Sequence, residues 1–166
     1  MGFESEGISE LKMRLQRLAD VPAIATAELS DCADDLQQKA RDMAPIDYGD
    51  LKDAIMVNEV GGSARNAKGQ FMKGALREFI VYVKNDRPLQ HPTNEMHVVG
   101  DYAWKVHEYM GWGSNVTTFM PSEKSVIEGE MHGVEAGGKF LERAMNELEP
   151  NIHMRLAKIV AKWTEG

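Results

Sequence analysis

The segment from Met43 to Ile55 constrains the fold more than any other, because it ends one regular element and begins another. A helical pattern stops at Pro45, which lacks an N–H donor and disfavours the helical conformation at Ala44. Gly49 follows and can adopt a positive φ that its neighbours, which carry side chains, would resist. We therefore predict a corner between a helix and a sheet in this segment.

The residues before the corner have the repeat of an amphipathic helix. Apolar residues recur at helical spacing on one face, namely Leu29, Ala33, Leu36, Ala40 and Met43. Ser9 can cap the start of an earlier helix, and Pro22 is expected either to interrupt that helix or to begin a new one. These patterns predict N-terminal helices within residues 9–44, in two pieces.

The residues after the corner, 51–120, are predicted to form an antiparallel or mixed sheet. An alternating pattern predicts a strand of mixed exposure in Leu51–Val60, and Arg77–Lys84 is dense in the β-branched and aromatic residues that favour strands. A third short strand is predicted for Met96–Gly100. Tyr102–Tyr109 has helical spacing, although a strand remains an alternative.

The C-terminal residues 139–164 return to a helical pattern, with Pro150 expected either to begin a second helix or to kink a single one. The periodicity of residues 115–137 is weak, so their structure stays open. Helices therefore lie at both ends of the chain, with strands between them. This order predicts one α+β domain over residues 1–166, in which the long N-terminal helix and the C-terminal helix pack on the sheet.

Composition excludes several classes of protein. The length of 166 residues suits one domain with a hydrophobic core, and no apolar run approaches the length of a membrane span. The first residues lack the pattern of a secretory signal, and Cys32 is the only cysteine, so neither an intramolecular disulfide nor a cysteine-based zinc site can form. The formal charge of −7 is poorly suited to binding nucleic acid tightly, but it is compatible with DNA that slides past.

We find no credible catalytic or metal-binding pattern. The five histidines are scattered, and adjacent His107 and Glu108 should diverge by about 100° on a helix. Asp47, Asp50 and Asp53 resemble a calcium loop in spacing only, so turn and capping roles explain them better. An anion could bind at Gly137–Lys139, although a plain loop-to-helix connection is the better interpretation. We predict no cofactor, no metal and no enzymatic activity.

Three segments instead carry a family resemblance. The first is a helix that ends in Ala-Pro and is followed by spaced Asp, Gly and Leu residues. The second is a Tyr-Ala segment followed by Glu, an aromatic residue and Gly. The third is Phe-Leu-x-x-Ala at the start of the last helix. The matching residues are Ala44, Pro45, Gly49, Leu51, Glu108, Tyr109, Gly111, Phe140 and Leu141. In this order they resemble the tail-completion (head–tail joining, or neck) proteins of long-tailed bacteriophages. Met110 is inserted before Gly111, and the proline that usually precedes the last motif is absent.

The resemblance implies a structural protein of the virion. It implies a homo-oligomeric ring, expected to be a hexamer, at the head–tail junction, where it joins the portal and adaptor proteins to the tail tube or tail terminator and lines the channel for passing DNA. Assembly would take place in the host cytoplasm, without a membrane. The basic residues Arg65 and Lys68 lie in a glycine-rich segment that is expected to contact neighbours, as is Asn115–Gly137.

Other interpretations stay open at this point. A tail terminator, which caps the tail tube on a related ring, is the nearest alternative. A small hydrolase or nuclease that uses His107 and Glu108 is a more distant one, and a monomeric binding module is a third.

Overall fold

The computed structural model describes residues 6–46, 49–60, 77–90, 98–112 and 120–164, and the side chains of these ranges from residue 24 to residue 162. The elements in chain order are α1 (Glu6–Met43), α2 (Asp50–Ala54), β1 (Ile55–Val60), β2 (Glu78–Val83), α3 (Gly100–Tyr109), α4 (Glu123–Met131) and α5 (Phe140–Thr164). The two strands pair in antiparallel fashion, so the predicted α+β class is confirmed. Within the described ranges, no helix is both long and apolar enough to cross a membrane.

The N-terminal helices are one continuous helix, and the predicted division at Pro22 is wrong. A proline inside a helix costs about 3 kcal/mol, but the surrounding Leu, Ala, Arg, Lys and Glu residues all favour the helix on both sides. The predicted apolar face is confirmed near the corner, where Ala33, Ala40 and Met43 are buried. The helix then ends at the predicted place, before Pro45.

Gly49 lies in the turn at the corner. Its φ is +87°, and the sequence predicts such a positive value. The predicted strand begins later than expected, because the residues from Asp50 to Ala54 form the short helix α2. Leu51 and Ala54 are both buried, which fits the spacing of a helix and not the alternation of a strand. The extended conformation of a strand begins only at Ile55, the first residue of β1.

In the part of the chain that the structure describes, the sheet has two strands, fewer than predicted. β2 lies where the sequence places it, and its side chains alternate between exposed and half-buried positions. The third strand is wrong in its described part, since Val98 makes only an isolated antiparallel bridge to Pro88 and Gly100 already belongs to α3. The N–H of Gly100, the first residue of α3, donates to the carbonyl of Asn85 at 2.8 Å.

Three helices account for most of the described residues after β2. The segment of weak periodicity contains α4, which Ser122 caps by accepting a hydrogen bond from the N–H of Ser125. The C-terminal helix α5 continues through Pro150, so the alternative of a single helix is the one the structure adopts. The helical alternative for Tyr102–Tyr109 is also the observed one, as α3.

The chain divides into two compact units. The first comprises residues 1–32, 59–79 and 150–166, and its described ion pairs join Glu28 to Arg155 and Glu59 to Arg77. The second comprises residues 33–58 and 80–149 and contains the main apolar core. That core consists of Ala40, Met43, Ala44, Leu51, Ala54, Ile55, Val99, Ala103, Val106, Met110, Phe140 and Ala144. The single domain expected from the sequence stays a prediction.

The positive φ of Gly49 gives a test of the corner. A Cβ at this position would have nothing within 4 Å, so substitution should be limited by backbone strain alone. We expect Gly49→Val to lower the free energy of unfolding by about 1–2 kcal/mol, the cost of the left-handed conformation for a residue with a side chain. Gly49→Asn should cost less, because Asn tolerates this conformation. Equal stability of the valine variant and the wild type in urea denaturation would contradict the strained turn.

A candidate interface site at the junction of three segments

The three segments that carry the family resemblance meet in the second unit through their backbones. The N–H of Gly137 donates to the carbonyl of Met43 at 2.9 Å, and the N–H of Lys139 donates to that of His107 at 2.6 Å. A longer bond of 3.4 Å joins the N–H of Gly138 to the carbonyl of Gly111. We call this region, residues 43–46, 107–111 and 137–140, the junction.

Glycine is required at the junction because the backbones approach closely. A Cβ on Gly138 would overlap the carbonyl oxygen of Met110, and one on Gly137 would overlap that of Gly111. The φ of Gly137, +149°, also disfavours a side chain. Since the N–H groups of residues 137–139 all donate to carbonyl groups, they are not free to bind an anion, and the loop-to-helix interpretation is the one that the geometry supports.

Phe140 packs into the apolar core next to the junction. This side chain is fully buried, and the ring of His107 meets it edge-on, with 5.2 Å between the ring centroids. Ala44 and Leu51, from the corner, are buried in the same core cluster. The three motifs therefore share one packed core as well as backbone hydrogen bonds.

A buried serine attaches α4 to the corner, and the sequence interpretation missed it. The N–H of Ile46 donates to Oγ of Ser125 at 2.8 Å, and this hydroxyl lies 3.2 Å from the carbonyl oxygen of Ile46. Ser125 is fully buried, and Ser122 Oγ lies 2.9 Å from its hydroxyl. Only the proline-serine pair at Pro121 and Ser122 could have indicated a helix start here, and nothing in the sequence indicates its partner.

An ion pair attaches α4 to α2 beside this serine. Nζ of Lys52 lies 2.7 Å from Oε1 of Glu128, and the lysine side chain is mostly buried. The hydrogen bond from Lys52 holds the pKa of the Glu128 carboxyl below its ordinary value of 4.5, against a smaller opposing effect of desolvation. Helix α4 is therefore attached to the corner and α2 by the buried hydroxyl of Ser125 and by the ion pair between Glu128 and Lys52.

The charged cleft beside the corner has about 400 Å³ of space but offers no evident ligand site. Its lining residues are Gln38, Arg41, Asp42, Lys52, Asp53, Arg87, Glu128 and His132. Its cations already have partners: Arg87 binds Asp53, and Arg41 donates to the carbonyl of Ile55 at 2.9 Å. No group of three or more acidic, histidine or cysteine side chains in the described ranges could hold a metal ion.

The geometry of His107 and Glu108 disfavours the hydrolase alternative. Contrary to the expectation that they diverge, Nδ1 of His107 lies 2.8 Å from Oε1 of Glu108. This contact and the nearby charges lower the pKa of Glu108, so the carboxylate stays ionised. The other ring nitrogen of His107 is buried, without a hydrogen-bond partner in the described residues. In this geometry Glu108 occupies Nδ1 of His107, and Nε2 is shielded from solvent.

The remaining predicted interface residues fall into three groups. The backbone of Gly111 is buried in the junction, and Leu141 is half-buried against the core. Glu108 and Tyr109 have exposed side chains at the end of α3. Arg65 and Lys68 lie outside the described residues, as does Asp47.

Removing the Ser125 hydroxyl should destabilise the attachment of α4. Ser125→Ala leaves the N–H of Ile46 buried without its acceptor, and we expect a loss of about 1–3 kcal/mol in the free energy of unfolding. The exposed neighbour Lys124→Ala should change stability by less than about 0.5 kcal/mol. Equal effects of the two variants in chemical denaturation would show that the hydroxyl is not the anchor.

The Lys52–Glu128 pair should give a pH-dependent contribution. Because the pKa of Glu128 is lower in the folded chain, its stabilisation is present above pH 4.5 and is lost as the pH falls through the folded-state pKa. We expect Glu128→Gln to cost at most about 1 kcal/mol at pH 7, since the glutamate is partly exposed, and less at pH 3. Glu123→Gln, on the exposed side of α4, serves as the control. A cost for Glu128→Gln that does not change with pH would contradict this assignment.

Comparison with known proteins agrees with the motif at the corner. A family model described as "Bacteriophage HK97-gp10, putative tail-component" matches residues 9–86, which span most of α1, the corner, α2 and both strands. No curated protein and no solved structure matches the chain. Over residues 9–86, slightly less than half of the chain, the sequence is therefore similar to a family of bacteriophage tail components, in agreement with the resemblance to phage tail proteins that its motifs carry.

Proposed function

We propose that this chain is a non-enzymatic structural protein of a bacteriophage virion, located at the head–tail junction. Copies assemble there as a ring, expected to contain six subunits, that joins the portal and adaptor proteins to the tail. The partners on the tail side are the tail tube or its terminator. The coarser assignment to phage tail components rests on the family match, and the location and the ring are the further step.

The observation that carries this proposal is the convergence of the three motif segments at the junction. The family match ends at residue 86, so it includes the corner but not the motifs at residues 108–111 and 140–141. The N–H groups of residues 137–139, just before the last motif, donate to the carbonyl groups of Met43, Gly111 and His107. Motifs that the resemblance connects in sequence are therefore also connected in space, as expected if they belong to one inherited structural unit.

The charge distribution supports a role beside passing DNA. The acidic excess of the chain lies in the second unit, where acidic residues outnumber basic ones by about two to one. Such a surface repels phosphate groups, so DNA could move past it without binding. We propose that part of this unit lines the channel and that DNA passes without specific contacts.

A mutant phage tests the location. In a phage that encodes this chain, we expect a nonsense mutation in its gene to give filled heads and tails of normal length that stay separate in lysates. Expression of the wild-type chain from a plasmid should restore joined particles, as seen by negative-stain electron microscopy. Joined particles without the chain would refute the proposal. Tails of uncontrolled length would instead indicate the terminator function, since a tube without its cap can continue to grow.

A further inference from the structure

The side of β2 that faces away from β1 is an open strand edge in the described part of the chain. The N–H of Lys84 donates to the carbonyl of Ala54 at 2.7 Å, which fixes the register of β2 against β1. In an antiparallel pair, alternate residues direct their backbone groups toward the partner strand. The residues of β2 that direct their N–H and C=O groups outward are therefore Phe79, Val81 and Val83. None of the described residues binds these outward groups.

The outer edge of β1, by contrast, is covered where the strand begins. By the same register, the carbonyl of Ile55 points away from β2, and it accepts hydrogen bonds from Gln37 at 2.7 Å and from Arg41 at 2.9 Å. Both of these side chains belong to α1. The two-stranded sheet therefore has one edge that a helix covers and one edge that is open to a further strand.

The open edge has none of the features that usually block strand pairing. Proteins commonly protect such edges with lysine or proline, and β2 contains neither residue. Ile80 is 43% exposed and Tyr82 is 39% exposed, and both lie on one face of the strand because they are two residues apart. Met56, which the register places opposite Tyr82, is exposed on the same face. An apolar surface thus continues up to the open edge.

We infer that two copies of the chain pair in antiparallel fashion through this edge, so that their sheets join into one of four strands. The pair is centred on Val81, which faces its own copy across a two-fold axis. In this register Phe79 of one copy faces Val83 of the other, so all three outward residues find backbone partners. About six hydrogen bonds form, two for each facing pair.

The charges at the two ends of β2 select this arrangement. Glu78 and Lys84 are exposed, and neither has an ion pair in the described ranges. The register centred on Val81 places Glu78 of each copy opposite Lys84 of the other, so two opposite-charge pairs form. A shift by two residues one way would set Glu78 opposite Asp86, and a shift the other way would separate Glu78 from Lys84. A parallel pair in register would set each charge against its own copy, which is unfavourable.

The other charged residues near this edge do not alter the selection. Arg77 lies on the opposite face of the strand from Glu78, and it already pairs with Glu59 of its own chain at 2.8 Å. In the inferred register Arg77 faces Asn85, which is uncharged. Asp86 lies in the turn that follows the strand, beyond the paired residues.

This contact goes beyond the proposed ring and does not depend on it. A contact that uses the same surface of both copies is isologous, so it joins two copies and leaves no free end for a third. A ring of six subunits requires other surfaces. We therefore assign the pairing to the free chain before assembly, where it covers a strand edge that would otherwise be open to unspecific pairing.

Disulfide formation between two variants tests the register. Ile80 of one copy lies opposite Tyr82 of the other in a pair without direct hydrogen bonds, where the Cα atoms are about 4.5 Å apart and a disulfide can form. A mixture of Ile80→Cys and Tyr82→Cys chains should give disulfide-linked dimers several-fold faster than either variant alone. The wild type, whose only cysteine is the buried Cys32, is the control and should not cross-link.

The cross-linking rates decide between the arrangements. Equal rates in the mixture and in the separate variants would overturn the inferred pair. Faster cross-linking of Ile80→Cys alone would also overturn it, because that result requires a parallel pair or a shifted register.

A proline substitution tests the backbone bonds. Val81→Pro removes one outward N–H and keeps the bonds from β2 to β1, so it should weaken dimerisation at least tenfold in sedimentation equilibrium. Val57→Pro removes an outward N–H from the covered edge of β1 and is the matched control, which should leave dimerisation unchanged. Circular dichroism should show that both variants keep the wild-type helix content.

A charge exchange tests the ends of the pair. Glu78→Lys and Lys84→Glu each place like charges opposite one another, so each should weaken dimerisation several-fold. The two changes in one chain restore opposite charges and should recover most of the loss. A double variant that is weaker than either single variant would contradict the inferred register.

The outcomes separate this inference from the proposed function. A wild-type chain that stays monomeric at every concentration and does not cross-link would overturn the pairing through β2, and so would wild-type dimerisation of Val81→Pro. Neither result affects the role at the head–tail junction. The mutant phage tests that role by whether heads and tails are joined, which does not depend on how the free chain associates.

Discussion

The end of α1 is the constraint on which the second unit depends. The last carbonyl groups of a helix have no partner within the helix, and Pro45 prevents the chain from continuing to supply one. Gly137 satisfies the carbonyl of Met43, and Ser125 satisfies the N–H of Ile46 just beyond it. Two segments from the second half of the chain are thereby attached to residues 43–46. The segment at residues 137–138 can lie this close to the backbone of residues 110–111 only because both of its residues are glycines.

These contacts explain how the corner, to which we assign no catalytic role, can affect the assembly that we propose. α3 is held to the start of α5 through His107 and Lys139, and α4 is held to the corner through Ser125 and Lys52. The angle between the outward surfaces of α3 and α4 is therefore set by the junction. In the ring that we propose, a change at the corner would alter the relative orientation of these two helices and, where they contact neighbouring subunits, the geometry of the ring.

The elements predicted correctly are those set by local rules. Pro45 and Gly49 fix the end of α1 and the turn after it, and the run of β-branched residues fixes β2. The departures from the sequence-based expectations have different causes. Pro22 is accommodated within a long helix, and the helix at residues 123–131 has little periodicity because a serine and a glycine form its buried side. The partners of Ser125 and Gly137 lie far away in the chain, so no local pattern could reveal them.

The acidic character of the chain is compatible with self-association. Copies that each carry the acidic unit repel one another at long range, but at physiological salt this repulsion is screened beyond about 8 Å. Contacts at an interface are shorter than this distance and keep their sign. Opposite charges that meet at an interface can therefore hold acidic subunits together. The acidity that we propose keeps DNA from adhering is thus compatible with assembly into the proposed ring.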